Sequence, residues 1–474
     1  MKIILSRESK EKLNTLSTSD CSTAALAAVR NLVTTGSDMD CYKVNPFRMA
    51  DQNGIERVQM LRALLFATRL GIFDLNWDIH CPSCTGVPVY HKHLMGLTRT
   101  AHCDLCEIDW ELDFESQVEV TFTVNPDVRK VSYPEWHERD MWEKLKLMSE
   151  METRENRASE IGICIYPDKS YEREIELTSG SYFIYIPGKM EGKKTIRVSG
   201  QRRADQKLLV TVREDSTISL EGDEFYSGKA KILIENRLPA LDGFILIKDR
   251  QWDNWVSAAY VSAQQDFRDL FAGEFLSPDT SFAIRSLTFL FTDIKGSTGM
   301  YEAKGDSRAF TLVKEHFSRM TGIIKALEGG IVKTIGDAVM AAFPVNLNAV
   351  RAAVAIQEVF ETSGADIRVK IGLHRGPTIA VTSNRNLDYF GRTVNIASRV
   401  QGHSSAGEIL MTEQVSSEKA VKRFLTTLPG KLCRRYANLK GIQGRMRLVS
   451  LFPVAPFPPA SGFQSSVSRL QRQF

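Results

Sequence analysis

Two aspartates stand where their carboxylates could work as a pair. Asp293 ends an apolar stretch, LTFLFTD, and Asp337 occupies the tip of a later hairpin, KTIGDAV. Carboxylates placed side by side repel each other unless cations join them, and Mg²⁺ prefers protein carboxylates together with water and phosphate oxygens. Two such ions can stabilise the attacking and leaving oxygens of a phosphoryl transfer. Simpler interpretations stay open here: Asp293 can cap the turn KGST, and Asp337 can serve a plain β-turn.

The elements around these aspartates follow a definite order. In sequence they are a strand (SLTFLFTDI), a helix (306–327), a two-stranded hairpin (GGIVKTIGDAVMAAFP), a helix (349–360) and a strand (IRVKIGLHRG). This β-α-β-β-α-β order predicts a ferredoxin-like domain. Its first and third strands are adjacent and central, which can place both carboxylates at one end of the sheet.

Two more groups of residues have types and spacing suited to phosphate chemistry. Gly296, Ser297 and Thr298 stand at a predicted helix start, where backbone N–H groups can bind phosphate, although they also suit a simple N-cap. Asn395 and Arg399 are four residues apart in GRTVNIASRV, so a helix places both on one face. From spacing alone, a surface salt bridge and a helix-capping or packing amide remain alternatives for this pair.

Together these segments resemble one enzyme family. FTDIKGST, VKTIGDAVMAAF and LDYFGRTVNIASR are similar, in order and spacing, to motifs of the class III adenylate and guanylate cyclase catalytic domain. The resemblance extends from about Ser286 to Pro453. It implies that this domain cyclises a nucleoside triphosphate and releases pyrophosphate.

The resemblance assigns metal and base contacts residue by residue. Asp293 and Asp337 would bind two Mg²⁺ or Mn²⁺ ions in each active site, and the carbonyl of Ile294 would be a further ligand. Lys333 would donate to the adenine ring, and Asp388 would accept from its amino group. Guanine presents the opposite polarity at those positions, so this pair predicts ATP as the substrate.

The same resemblance assigns the transition-state contacts. Asn395 would orient the ribose, and Arg399 would meet the charge that builds on the α-phosphate as the 3′-hydroxyl attacks. Lys440 would contact the triphosphate. Family members take the metal aspartates from one subunit and the transition-state residues from its partner. Because this chain contains both sets, the resemblance implies a head-to-tail homodimer with shared sites.

Cysteine spacing points to a different metal nearer the N-terminus. Two CxxC pairs, CPSC and CDLC, fit a tetrahedral zinc ribbon of structural type, since four thiolates leave no position for water. The predicted zinc ligands are Cys81, Cys84, Cys103 and Cys106. Nearby histidines could compete as ligands: His80, His91, His93 and His102. A redox switch through the four thiols is a further alternative.

Changes in composition and hydrophobic periodicity along the sequence predict an α+β multidomain protein. The predicted parts are an N-terminal arm (1–44), a helical unit with the zinc ribbon (45–113), an antiparallel β-rich regulatory domain (114–250), a helical bridge and linker (251–284), the cyclase domain (285–453) and a disordered tail (454–474). A charged, helical-looking connector is expected over 134–157. NPFRMA, LIENR and FRDLFAGEF, with the cysteine pairs, resemble a bacterial group in which such parts precede a cyclase domain.

Composition limits the other functions. The 474 residues carry a net charge of +4, so charge gives no reason to expect a nucleic-acid partner. No apolar run is long enough to cross a bilayer, which predicts a cytoplasmic protein without a membrane partner. Two alternatives to an adenylate cyclase stay open. They are a guanylate cyclase, and a zinc-ribbon protein that binds a partner or nucleic acid and has an inactive cyclase domain.

Overall fold

The computed structural model describes most of the chain. The described residues are 5–83, 86–104, 106–131, 161–187, 189–203, 205–221, 225–248, 254–296, 299, 302, 305–362 and 368–453. The predicted tail, 454–474, and the predicted connector, 134–157, lie outside them. Among the described helices, none combines the length and the apolar character that crossing a bilayer requires.

Residues 5–131 form helices packed on a small antiparallel sheet. The elements are α1 (Arg7–Ser17), α2 (Thr23–Thr35), α3 (Pro46–Asn53), α4 (Arg57–Arg69), β1 (Phe73–Ile79), β2 (Val89–His91), β3 (Thr100–Cys103), β4 (Ile108–Glu111) and β5 (Val118–Val124). The sheet has the order β2-β1-β5, and β3 and β4 form a separate hairpin. Helix ends carry ordinary signals: the Asn45 side chain accepts from the backbone N–H of Arg48 at 2.9 Å, and Gly54 ends α3 with φ +64°.

Two predicted boundaries in this region differ from the structure. Leu13 of α1 and Val29 of α2 are buried in the same core as Leu61 of α4, so residues 7–35 are not a separate arm. Strand β5, assigned to the β-rich domain from its alternating sequence, pairs with β1 along its whole length. Local alternation identifies a strand but does not identify its neighbour, because pairing is decided by non-local contacts.

Residues 161–248 form the β-rich domain. Its strands are β6 (Ile161–Ile165), β7 (Ser170–Leu177), β8 (Gly180–Ile186), β9 (Lys189–Arg202), β10 (Gln206–Val212), β11 (Ile218–Glu221), β12 (Phe225–Asn236) and β13 (Asp242–Lys248). The predicted antiparallel arrangement is corrected to a mixed sheet, because β12 runs parallel to β9 and β10. Alternating burial along β12 is compatible with either direction, so the sequence pattern could not distinguish them.

Two short helices then lead into the C-terminal domain. They are α5 (Ala258–Ala263) and α6 (Gln265–Leu270). Phe267 of α6 is buried, and its ring meets Trp77 of β1 edge-on with centroids 5.8 Å apart. The indole N–H of Trp255 donates to the backbone carbonyl of Glu115 at 2.8 Å. Phe267 and Trp255 of this bridge therefore pack against the N-terminal unit.

The C-terminal domain has one sheet with helices packed on it. Its elements are β14 (Phe282–Ile294), α7 (Asp306–Ala326), β15 (Gly330–Ile335), β16 (Ala338–Phe343), α8 (Asn346–Thr362), β17 (Val369–Ser383), β18 (Asn386–Phe390), α9 (Arg392–Gly402), β19 (Ile409–Thr412), α10 (Glu413–Ser416), α11 (Lys419–Thr427), β20 (Gly430–Asn438) and β21 (Arg445–Pro453). The strand order is β15-β16-β14-β17-β19-β21-β20, with β18 paired to β17. The first and third strands, β14 and β16, are neighbours.

Strand β14 begins earlier than the predicted domain boundary at 284. Phe282 and Ile284 are buried in the core of the N-terminal unit, and the guanidinium of Arg285 lies 3.0 Å from the Asp113 carboxylate. The start of this strand therefore belongs to two domains. The sequence alone suggests a linker here, because the residues on which Phe282 and Ile284 pack are distant along the chain.

Candidate active site

The two metal-candidate aspartates lie at one end of the C-terminal sheet. β14 pairs antiparallel with β16, and the register Thr292↔Val339 puts Asp293 and Asp337 at neighbouring positions just beyond it. Asp337 follows Gly336, whose φ of +62° makes the tight turn between β15 and β16. Strand pairing thus brings both carboxylates to the same end of the sheet.

The surroundings of the two carboxylates suit a cation. Lys370 Nζ of β17 lies 3.5 Å from Asp293 Oδ2. Asp337 Oδ2 is buried and has no hydrogen-bond partner among the described residues. A buried carboxylate oxygen without a donor is costly unless a positive charge compensates it. The donor set therefore fits a divalent ion such as Mg²⁺ or Mn²⁺.

His316, on α7, is a residue near this edge that the sequence analysis missed. It is almost fully buried, and its ring centroid lies 3.8 Å from that of Phe360. Burial lowers the pKa of His316 to about 4, and Arg319 acts in the same direction while the charge of Asp337 opposes both. The imidazole is therefore neutral at pH 7. His316 follows the apolar Val313 by three residues, and this helical spacing was the sequence signal that its side chain faces inward.

The loop after β14 is described in part. Ile294 is the last residue of β14, and its side chain is buried. Gly296 has φ +73°, a conformation that favours glycine. Ser297 and Thr298 lie outside the described residues. The phosphate contacts expected from this loop therefore stay a prediction.

Lys333 and Asp388, the predicted base-reading pair, are in contact. Lys333 Nζ lies 2.6 Å from Asp388 Oδ2 although the residues are 55 positions apart. Asp388 is buried, and its Oδ1 accepts from the backbone N–H of Tyr389 at 2.8 Å. A cavity of about 400 Å³ lies beside the pair, a size typical of ligand pockets. Donor and acceptor groups thus meet at the wall of a cavity.

Asn395 and Arg399 lie on α9, as the spacing predicts. Ile396 and Val400 anchor this helix in a small buried cluster, whereas Asn395 is exposed and Arg399 is partly exposed. The helix packs closely on β17 because Gly372 has no side chain there; a Cβ at that position would collide with the backbone of Gln401. The chain therefore presents both polar side chains on the outer face of a firmly packed helix.

Lys440 lies in the turn that contacts Arg399. A Cβ added to Gly441, the next residue, would lie 3.0 Å from Arg399 Nη1. Gly441 has φ +70°, so glycine is favoured by conformation and by this close approach. Lys440 itself is exposed. Two cationic residues thus come from neighbouring segments, which suits a polyphosphate.

Three of the predicted zinc ligands lie together. The Sγ atoms of Cys81, Cys103 and Cys106 are within 4.8 Å of one another, and all three residues are buried. Cys84 lies outside the described residues. Zinc–sulfur bonds of about 2.3 Å put tetrahedral ligand sulfurs about 3.8 Å apart. The three thiols therefore fit a zinc ion with modest adjustment.

The histidines near these cysteines have other surroundings. Three contact carboxylates: His80 with Glu119 at 2.9 Å, His93 with Glu274 at 2.7 Å and His102 with Asp109 at 3.0 Å. Burial lowers the pKa of His91. The carboxylate contacts engage those imidazoles with other partners, so the thiols form the better donor set.

The cysteine cluster also joins two domains. Its residues share a buried apolar cluster with Tyr185 of β8 and Ile245 of β13. Lys193 Nζ of β9 donates to the backbone carbonyl of Ser83 at 2.9 Å. A ligand that fixes the segment around Cys81 would therefore also stabilise its contact with the β-rich domain.

Family comparisons divide the chain in the same way. Residues 281–447 match the adenylate and guanylate cyclase catalytic domain, and residues 6–161 match a family of unknown function. The latter match includes α1 and β5, in agreement with their shared core. The family of the C-terminal part is thus established, while the N-terminal match gives no activity.

Individual relatives include both kinds of cyclase. An adenylate cyclase of Anabaena cylindrica is 34% identical over 151 residues, which are 28% of this chain and 30% of that protein. A P. aeruginosa adenylyl cyclase structure is 21% identical, with TM-score 0.33, over 38% of this chain and all of that one. A guanylate cyclase domain from Catenaria anguillulae is 24% identical, with TM-score 0.32, over 36% of this chain and 99% of that one.

Proposed function

We propose that this chain, whose residues 281–447 belong to the adenylate and guanylate cyclase catalytic domain family, converts ATP into 3′,5′-cyclic AMP and pyrophosphate. The observation that carries the proposal is the 2.6 Å contact between Lys333 Nζ and Asp388 Oδ2. The ammonium can donate to N1 of adenine, and the carboxylate can accept from its N6 amino group. Guanine presents a donor at N1 and an acceptor at O6, so the same pair meets it with the wrong polarity.

The reaction exchanges one bond to phosphorus for another. The ribose 3′-hydroxyl gives up its proton to solvent, and O3′ bonds to the α-phosphorus. The oxygen that bridges to the β-phosphate leaves with its electron pair as pyrophosphate. Asp293, Asp337 and the Ile294 carbonyl would hold Mg²⁺ or Mn²⁺, which supplies positive charge for the attacking and leaving oxygens. The Oδ2 atom of Asp337, which no described residue hydrogen-bonds, supports this role.

Polar groups of α9 and of the Lys440 turn would act on the rest of the nucleotide. Arg399 would stabilise the charge that builds on the α-phosphate, and Asn395 would orient the ribose so that O3′ faces phosphorus. Lys440, beside Arg399 through Gly441, would bind the triphosphate. Catalysis then depends on positioning and charge, with no covalent intermediate on the protein.

The proposed active form is a head-to-tail homodimer of ferredoxin-like domains. The order β15-β16-β14-β17 supports this layout. Each shared site would take the metal ligands Asp293, Ile294 and Asp337 from one subunit. The other subunit would supply Lys333, Asp388, Asn395 and Arg399. The outward position of Asn395 on α9 supports a role toward a partner subunit.

The N-terminal region would regulate this activity. Phe282 and Ile284 at the start of β14 are buried in its core, so its packing can influence the strand that leads to Asp293. Zinc at Cys81, Cys103 and Cys106 would be structural, with Cys84 as the fourth ligand. The cluster's contact with Tyr185 supports a role in holding the β-rich domain.

A product assay tests the proposal. The full chain is incubated with ATP or GTP in Mg²⁺ or Mn²⁺, and cyclic nucleotides are separated and quantified. We expect cyclic AMP from the wild type and a loss of at least a hundredfold in Asp337→Asn, because one ligand charge is removed. Cyclic GMP as the main product would favour a guanylate cyclase. No cyclic product would favour a binding protein with an inactive domain.

A further inference from the structure

Helix α6 contacts the edge strand that carries Lys333. β15 is the outermost strand of its sheet, so part of its backbone lacks a strand partner. Gln265 makes two hydrogen bonds to this edge. Its backbone N–H donates to the carbonyl of Gly329, just before β15, at 3.1 Å, and its side-chain Oε1 accepts from the N–H of Ile331 in β15 at 2.7 Å. Gln265 is buried, so these bonds are shielded from water. The helix thus acts as a neighbour for the exposed edge.

The second of these bonds lies next to an irregularity in β15. Pairing with β16 runs Ile331↔Ala341 and then Lys333↔Met340, so Val332 is an extra residue on β15. Such a bulge re-aims the side chains that follow it, and a one-residue change of register turns each to the opposite face. The direction of Lys333 therefore depends on the bulge staying at Val332. Gln265 holds the residue immediately before it.

Helix α6 also contacts β18, the strand that carries Asp388. Arg268 Nη1 donates to the backbone carbonyl of Leu387 at 3.0 Å, and its guanidinium carbon lies 5.3 Å from the centroid of the Tyr389 ring. Leu387 and Tyr389 flank Asp388 on both sides. Three residues apart on α6, Gln265 and Arg268 therefore reach the two strands whose side chains meet in the Lys333–Asp388 contact.

We propose that Gln265 and Arg268 are positioning residues that set the base specificity of the site, an inference that rests on the proposed function. They act through Lys333 and Asp388, which would touch the purine. Because Phe267, between them, packs on Trp77 of the N-terminal unit, the base-reading pair is held by a helix that the N-terminal unit itself fixes.

Matched variants on one helix test the proposal. Gln265→Met keeps the length of the side chain but removes its hydrogen bonds. Gln264→Met is the control, since Gln264 is also buried but donates to the Glu328 carbonyl at 3.2 Å, outside the bulge. A second pair tests rescue: Gln265 also donates to Asp269 Oδ1 at 2.7 Å, so Gln265→Glu with Asp269→Asn reverses that bond and keeps the acceptor for Ile331.

The expected result is a change in substrate recognition with little change in turnover. Gln265→Met and Arg268→Met should each raise KM for ATP about tenfold and lower the ATP-to-GTP ratio of kcat/KM, while kcat stays within about twofold. Gln264→Met and the double exchange should remain near the wild type. An unchanged ATP-to-GTP ratio in Gln265→Met, or an equal change in Gln264→Met, would overturn the positioning role.

Amide hydrogen exchange separates this inference from the proposed function. The Ile331 N–H should exchange at least about tenfold faster in Gln265→Met than in the wild type or Gln264→Met, because its acceptor is gone. This measurement needs no turnover. If the wild type makes no cyclic nucleotide, the proposed function fails, whereas unchanged exchange at Ile331 contradicts the positioning contact itself.

Discussion

The ring of Phe282 stacks on the ring of Phe114 with centroids 5.3 Å apart, so the first strand of the catalytic domain starts inside the core of the N-terminal unit. Phe282 is almost fully buried there. A contact of this kind couples the stability of the two parts. It also means that a cut at residue 281 removes the packing partners of Phe282 and Ile284.

Phe282→Ala should destabilise the whole chain. Removing a buried phenylalanine side chain costs about 3–5 kcal/mol, and here the cavity opens between the domains. Urea denaturation should show this loss in the main transition, with Phe310→Ala as a control because Phe310 is 63% exposed. A loss below about 1 kcal/mol would contradict the shared core.

Shared active sites predict complementation between inactive chains. Asp293→Ala and Arg399→Ala should each abolish cyclase activity, and an equal mixture should regain about one quarter of the wild-type rate, because half of the dimers hold one intact site. Asp293→Ala mixed with Asp337→Ala should stay inactive, since both changes fall in the same half-site. Activity absent from the first mixture, with subunit exchange verified by labelled chains, would reject shared sites.

Stability should fall as the pH drops toward 4. Burial, with a smaller effect of Arg392, lowers the pKa of His374 to about 4 from 6.5. In the unfolded chain, the imidazole of His374 therefore binds a proton near pH 6.5. In the folded chain it binds that proton only near pH 4. The resulting loss is about 3 kcal/mol between those values and levels off below them.

A pH series of denaturation curves measures this linkage. His374→Gln removes the titrating group and can still contact Thr412, which lies 2.8 Å from His374 Nδ1. The variant should lose less stability than the wild type between pH 6.5 and pH 4. An identical pH dependence in both proteins would show that His374 does not titrate as its burial requires.

Removing a zinc ligand should weaken the contact between the cysteine cluster and the β-rich domain. Cys103→Ser should lower the bound zinc measured by elemental analysis and reduce the thermal midpoint by about 5 °C or more. Cys433→Ser is the matched control, because Cys433 lies on β20, away from the cluster. Full zinc content in Cys103→Ser, or none in the wild type, would contradict the metal assignment.

Local patterns in the sequence located much of the catalytic domain. The apolar strand before Asp293, the turn at Gly336 and the four-residue step from Asn395 to Arg399 each carry their own signal, so the expected elements formed around them. Family resemblance assigned Lys333 and Asp388 separately to the adenine ring. Their contact with each other had no local signal in the sequence, because 55 residues separate them.

Other features depended on non-local contacts. β5 alternates as an isolated strand would, and only pairing with β1 assigns it to the N-terminal unit. The bulge at Val332 has no marker such as glycine, and its support comes from Gln265 in a helix more than sixty residues earlier. His316 was overlooked because polar residues are usually expected on the outer face of a helix.

The relative use of ATP and GTP by the full chain tests whether Lys333 and Asp388 read the base of the nucleotide. The measurement is kcat/KM for each nucleotide, made for the wild type and for Lys333→Glu with Asp388→Cys, which removes the donor and acceptor proposed to read adenine. We expect that the wild type prefers ATP by at least about tenfold and that the exchange shifts preference toward GTP. A wild type that prefers GTP, or an exchanged protein with the wild-type ratio, would contradict it.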